Sequence, residues 1–226
     1  MTARVARSAE RVAQSRIREL ADLAMTMDSV LKLYFGESNL PTPDYIKRAA
    51  YKAIADGYTF YTENAGLPSL RRALAEHYRR LHAVELDPES EIVITASGVQ
   101  ALNVGIRCVI DPGDEALVLT PAWPNGAANV AMANGVAREI PHPLSGGRYG
   151  IDFDALEAAV TPRTRLLVYT SPSNPLGWAA TEDEQARLLE FARRRGLWLL
   201  ADEVYERLYY RTPTLGQPAP SILRMI

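Results

Sequence analysis

Lysine is scarce in this chain. The 25 basic residues include lysine only at Lys32, Lys47 and Lys52, and none follows residue 52. Chemistry that needs a lysine amine, such as a Schiff base with a carbonyl, therefore has candidates only in the N-terminal segments. Cysteine is nearly absent. Cys108 alone excludes an internal disulfide framework and fits a reducing compartment, so a cytoplasmic location is expected. Its apolar setting, NVGIRCVI, predicts inert burial. His77, His82 and His142 have no Cys or His partner at ligand spacing, so no metal site is expected. No apolar run approaches the ~20 residues of a bilayer-spanning helix, and the N-terminus lacks the apolar core of a secretory signal. Neither sign of charge dominates: 25 basic residues face 27 acidic ones. A net of −2 gives no general pull toward nucleic acid or an anionic membrane. There is no GxGxxG and no GxxxxGK(S/T), which argues against dinucleotide and P-loop chemistry.

What is present suits a globular α/β protein. The chain has 226 residues, 47% of them apolar, enough to bury a sizeable core. Helical periodicity runs over 8–24, 43–55 and from Pro68 to about Ala83. From residue 91 strands and helices alternate. Strands are predicted at 91–95, 116–120, 136–140, 165–170 and 197–202. Helices are predicted at 98–110, 124–134, 153–160 and 182–195. PLSGGRYG at 143–150 reads as loop, as does the Pro-rich stretch 213–220. Asp152 is a candidate N-cap and Gly196 a candidate C-cap. Continuous apolar strands separated by helices imply a mostly parallel sheet covered on both faces.

Four segments sit where apolar strands run out, the place where open α/β sheets bind ligands. In ITASGVQALN (94–103), Ser97 and Gly98 open a helix whose first N–H groups and positive dipole end suit a phosphate; Ser97 could equally be a plain N-cap. In TPAWPN (120–125), Trp123 is held between prolines, either to stack on a planar ring or simply to pack. In SPSNPLG (171–177), the Asn174 amide can donate to a phenolate-type oxygen, or serve only the turn. In ADEVY (201–205), Asp202 follows four apolar residues, where a charge is costly unless paired. A protonated pyridine nitrogen at ~3 Å and an effective dielectric of ~20 would be worth about 5 kcal/mol to it before desolvation. Tyr205 could then address the ring oxygen. A structural ion pair or a helix cap remains the alternative for Asp202.

In this order, and with LYFGESNLPTP (33–43) and YTENAGLPSLRRAL (61–74) upstream, the segments resemble the class I/II aminotransferases, pyridoxal phosphate enzymes of fold type I. The resemblance spans roughly residues 10–226. It implies a large cofactor-binding domain over 43–226 with a mostly parallel, helix-flanked sheet, preceded by an N-terminal arm at 1–42. It implies that Ser97, Gly98 and Val99 hold the pyridoxal 5'-phosphate phosphate, that Trp123 stacks on the ring, that Asn174 and Tyr205 contact the ring oxygen, and that Asp202 partners the pyridine nitrogen. Tyr61 is similar to the tyrosine that reaches the phosphate of the neighbouring subunit, which implies a homodimer. Gly36 is similar to the glycine at the substrate carboxylate, and Trp123 and Asn174 also face the substrate. The implied substrates are an amino acid and a 2-oxo acid, with no nucleic acid or membrane partner. Trp123 is similar to aspartate-type members, whereas Leu176 stands where many relatives carry Thr. The family's Schiff-base lysine, in a serine–lysine segment beyond the matched aspartate, has no counterpart. The chain is thus expected to be an N-terminal portion without the C-terminal small domain, inactive alone and poorly soluble. A β-lyase or decarboxylase on the same fold, or a non-catalytic remnant, are the other readings.

Overall fold

The computed structural model describes residues 4–14, 16–210 and 216–226. The chain divides into two compact units: Gln14–Leu67, and Pro68–Ile226 together with the stretch ending at Ala13. The periodicity over 8–24 predicts one helix, but α1 (Arg7–Glu10) and α2 (Arg16–Met25) are separate elements. No residue of α1 is buried, so no packing extends that single turn into a longer rod. Ser15, inside the predicted span, lies outside the described residues.

In the Gln14–Leu67 unit, α2 and α3 (Asp44–Ala55) carry exposed ion pairs: Arg16–Glu19 at 3.3 Å, Asp44–Lys47 at 2.6 Å and Lys52–Asp56 at 2.5 Å. Pairs of this kind contribute only tenths of a kcal/mol each. The Arg18 guanidinium lies 5.1 Å from the Phe35 ring centre.

The larger unit begins with α4 (Pro68–His82), where Pro68 takes a first-turn position that needs no N–H donor. The strand predicted at 91–95 does not form. The segment is extended, with Val93 exposed, but no neighbouring backbone pairs with it among the described residues, and a strand exists only as part of a ladder. Next comes α5 (Gly98–Val109), capped by Ser97, whose Oγ accepts from Gln100 N. Cys108 is exposed, not buried as predicted. The run NVGIRCVI lies on a helix, so Ile106 and Ile110 turn inward while Cys108 turns out.

The sheet follows. Its strands are β1 (Glu115–Thr120) and β2 (Val136–Pro141), joined by α6 (Asn125–Met132). The predicted loop 143–150 contains a short hairpin of β3 (Leu144–Ser145) and β4 (Arg148–Tyr149). Its two-residue turn is Gly146-Gly147, both at positive φ, the conformation that joins twisted antiparallel strands most tightly. After α7 (Phe153–Ala159), capped by Asp152, come β5 (Thr164–Thr170), α8 (Glu182–Arg195) and β6 (Trp198–Asp202). Helix α8 is delimited from both ends. Thr181 and Glu184 form a reciprocal capping box, and Gly196 at φ +65° closes the C-terminus. A 3-10 turn spans Ile222–Met225. Of the predicted loop 213–220, residues 213–215 lie outside the described residues, and the rest carries no helix or strand.

All pairings in the four-stranded sheet are parallel, in the order β2-β1-β5-β6. Alternation along β1 and β5 supplies two cores. Leu117, Leu119, Leu167 and Tyr169 pack with Leu156 of α7 and with Leu188 and Phe191 of α8. Ala116, Val118, Leu166 and Val168 pack with Ile106 of α5 and Val130 of α6 on the other face. Each fully buried Leu or Ile contributes about 1.5–3 kcal/mol by leaving water. The N-terminal ends of the strands are tied by a charge knot. Glu115, wholly buried, accepts from Arg138 Nε (2.6 Å), Arg163 Nη2 (2.6 Å) and Thr161 Oγ1 (2.7 Å). The Arg138 bond first, then those of Arg163 and Thr161, hold the Glu115 carboxyl at about 2 against burial, which pushes it up.

Candidate functional site

The order of connections reverses between β1 and β5. β1 passes to β2 on one side, and the chain then returns to place β5 and β6 on the other. Ligands of open α/β sheets sit in the crevice outside the strand ends at such a point. Here that crevice is a pocket of about 230 Å³ lined by Gly98, Val99, Leu102, Trp123, Thr170, Asp202, Val204 and Tyr205. Five of the residues expected at the cofactor, Gly98, Val99, Trp123, Asp202 and Tyr205, are thus brought to one cavity from three chain segments. Asn174 joins through Tyr205: its Nδ2 donates to Tyr205 Oη at 3.3 Å.

Each wall has a local cause. Asp202 ends β6 and pairs in register with Thr170, the last residue of β5. Its partly buried carboxylate accepts only the Val204 N–H, at 3.3 Å, and no cation pairs with it among the described residues. Burial pushes its pKa up, against that one backbone bond. Trp123 stands between Pro121 and Pro124 just beyond β1, about one-third exposed (36%). At the start of α5 the Gly98 and Val99 N–H groups have no acceptor among the described residues, as expected for a first helical turn. A methyl group added at Gly98 would meet no protein atom within 4 Å, so the chain's own packing does not account for glycine there. Ser97 Oγ is engaged as the N-cap at 3.2 Å from Gln100 N, which realises the simpler of its two readings while leaving its second lone pair open.

Gly36 and Tyr61 belong to the Gln14–Leu67 unit; Gly36 has open space around it, and the Tyr61 side chain is fully exposed. Leu102 and Thr170 also line the cavity, and sequence reasoning passed them over. Thr170 was within reach of it, being the final residue of an apolar strand that leads into SPSNPLG. Among the described residues no lysine or arginine lines the cavity. Lys47 and Lys52 sit on α3 in ion pairs with Asp44 and Asp56. No cluster of His, Cys, Asp and Glu that could hold a metal exists among the described residues, and none of their helices is long and apolar enough to cross a membrane.

A partly buried carboxylate with no cation beside it among the described residues, an aromatic wall and open N–H groups at a helix start are groups that could hold a planar cationic ring bearing a phosphate. The family model described as "Aminotransferase class I and II" matches residues 29–223, and the chain belongs to that family. The family is pyridoxal phosphate-dependent. The chain is 39% identical over 181 residues to a probable aspartate/prephenate aminotransferase of Thermus aquaticus, covering 80% of this chain and 47% of that protein. It is 34% identical to aromatic-amino-acid aminotransferase 2 of Thermococcus litoralis, covering 89% and 51% respectively. The solved aspartate aminotransferase of Thermus thermophilus with maleate superposes with a TM-score of 0.86 at 33% identity, over 95% of this chain and 56% of that one. The chain spans about half the length of the curated relatives it matches.

Proposed function

We propose that this chain supplies the cofactor-binding half of a pyridoxal phosphate-dependent aminotransferase that moves an amino group between an amino acid and a 2-oxo acid. The observation that carries this is Asp202: a partly buried carboxylate with no cation beside it among the described residues, at the end of β6, in a cavity shared with Trp123, Gly98 and Tyr205. In this reading residues 1–42 are an N-terminal arm and 43–226 the large domain, in a cytoplasmic homodimer.

When bound, pyridoxal phosphate supplies a cationic ring that draws electrons away from the substrate's Cα. Asp202 holds the proton at the ring nitrogen. Trp123 covers one face of the ring and excludes water from it. The Gly98 and Val99 N–H groups, with Ser97 Oγ and the α5 dipole, bind the phosphate. Asn174 and Tyr205 would hydrogen-bond the ring oxygen and orient the ring. By the family resemblance Gly36 is the candidate for the substrate carboxylate, Asn174 also faces the substrate, and Tyr61 is the candidate for the phosphate of the neighbouring subunit. An acidic donor of aspartate type is supported by Trp123 and by the names of the Thermus relatives, one of which was solved with the dicarboxylate maleate.

No lysine lines the cavity, so the 226-residue chain holds the cofactor without a covalent bond and does not turn over. The test is a titration of pyridoxal phosphate into this chain, followed by borohydride and peptide mapping. Saturable quenching of tryptophan fluorescence with no labelled lysine is expected. Absence of saturable binding would overturn the cofactor assignment. A stoichiometric label on Lys32, Lys47 or Lys52, together with amino transfer, would overturn the claim of inactivity.

A further inference from the structure

The turn that carries Tyr205 has two faces. Asp202 and Tyr205, three residues apart, line the 230 Å³ pocket. Glu203 and Glu206, also three apart, line a separate cavity of about 620 Å³ with Tyr78, Leu199 and Ile222. The proposed reaction makes no use of these two carboxylates, yet both are bound. Glu203 accepts from Ser221 Oγ at 2.7 Å and from Ile222 N at 2.8 Å, which pins the turn to the 3-10 element. Glu206 Oε2 lies 2.7 Å from His82 Nε2, the last residue of α4, across 124 residues of sequence. His77 Nε2 stands farther off, 3.9 Å from the other oxygen of Glu206.

The His82 contact is unusual in what it leaves undone. The His82 side chain is almost wholly buried, at 1% exposure, and its Nδ1 has no partner among the described residues. An ionised carboxylate only accepts, so Nε2 carries the hydrogen, and Nδ1 is left without a partner. Burying an imidazole with one unsatisfied nitrogen costs stability that a leucine in the same place would not. Among the described residues the ring's one hydrogen bond is to Glu206, and it offsets this cost. Inside the turn, Glu206 N bonds Glu203 O at 2.9 Å and Leu208 N bonds Tyr205 O at 2.8 Å. Two such bonds leave a short turn marginal without outside anchors.

We propose that His82 is a positioning residue for the cofactor site: through Glu206 it fixes the turn so that Tyr205 Oη meets Asn174 and the ring oxygen. The link to the cofactor rests on the pyridoxal phosphate reading; the anchoring of the turn does not. His82 touches neither substrate nor cofactor and acts at one remove.

Hydrogen exchange over residues 203–208 of the 226-residue chain tests the anchoring, with an α8 peptide as internal reference. In His82→Leu these amides should exchange about tenfold faster while α8 is unchanged, as expected for losing one hydrogen bond to a charged group. His82→Gln, which returns an N–H to the carboxylate, should restore protection. In parallel titrations, His82→Leu should weaken pyridoxal phosphate binding by the same factor as Tyr205→Phe, and the double variant should be no weaker than Tyr205→Phe alone. Unchanged exchange in His82→Leu, a uniform rise that includes α8, or losses of affinity that multiply would each overturn the inference. If the unsubstituted chain binds no pyridoxal phosphate, the cofactor reading falls, while the exchange and its rescue by glutamine still decide the role of His82.

Discussion

Asn174 Nδ2 donates to Tyr205 Oη across 3.3 Å, joining the loops that leave β5 and β6. The contact turns two strand ends into one wall of the cavity and leaves the Tyr205 hydroxyl hydrogen available to a ligand.

Tyr205→Phe removes that donor and should lower pyridoxal phosphate affinity about three- to tenfold, the effect of one hydrogen bond. Asn174→Ala should cost a similar factor. Because the two groups share one bond, the double variant should lose less than the product of the single losses. Fluorescence titration of the three variants measures this.

Gly98→Ala separates phosphate binding from folding. No protein atom lies within 4 Å of the added methyl, and alanine is the better helix former, so thermal stability should stay level or rise. Pyridoxal phosphate should bind more weakly, whereas pyridoxal, which lacks the phosphate, should bind as before. Equal losses for both ligands would place the phosphate elsewhere.

The Glu115 knot makes stability depend on acid. Its folded carboxyl sits at about 2, below an ordinary value of 4.5, so its contribution is complete above 4.5 and fades as the pH falls toward 2. Glu115→Gln, which gives up the charge-assisted bonds to Arg138 and Arg163, should cost about 1–3 kcal/mol at neutral pH. The gap to the unsubstituted chain should close in acid. Urea unfolding at several pH values follows both curves. The pocket at the other end of the strands should be unaffected.

The sheet was legible because its strands declare themselves locally. ALVLT and RLLVYT are apolar without interruption, as strands covered on both faces must be, and both cores are occupied. Asp202 stood out for the same reason, as a charge ending such a run. The C-cap of α8 at Gly196 and the N-cap of α7 at Asp152 were equally local. What escaped depends on partners distant in sequence. EIVIT has the composition of a strand but no neighbour to pair with among the described residues. The side on which Cys108 falls follows from helical phase, which an apolar run alone does not reveal. Glu206 and His82 lie 124 residues apart, and nothing near either predicts their bond. The Gly-Gly hairpin was readable and passed over: two consecutive glycines between Ser145 and Arg148 are a turn signal in themselves.

Asp202, in this reading, holds a proton on a pyridine nitrogen, and nitrogen NMR of ring-labelled pyridoxal phosphate bound to the chain observes that nitrogen directly. A pyridinium shift near neutral pH is expected, changing to the unprotonated value in Asp202→Ala with the ligand still seated by the α5 end. An unprotonated ring in the unsubstituted chain, or a shift indifferent to the loss of Asp202, would contradict it.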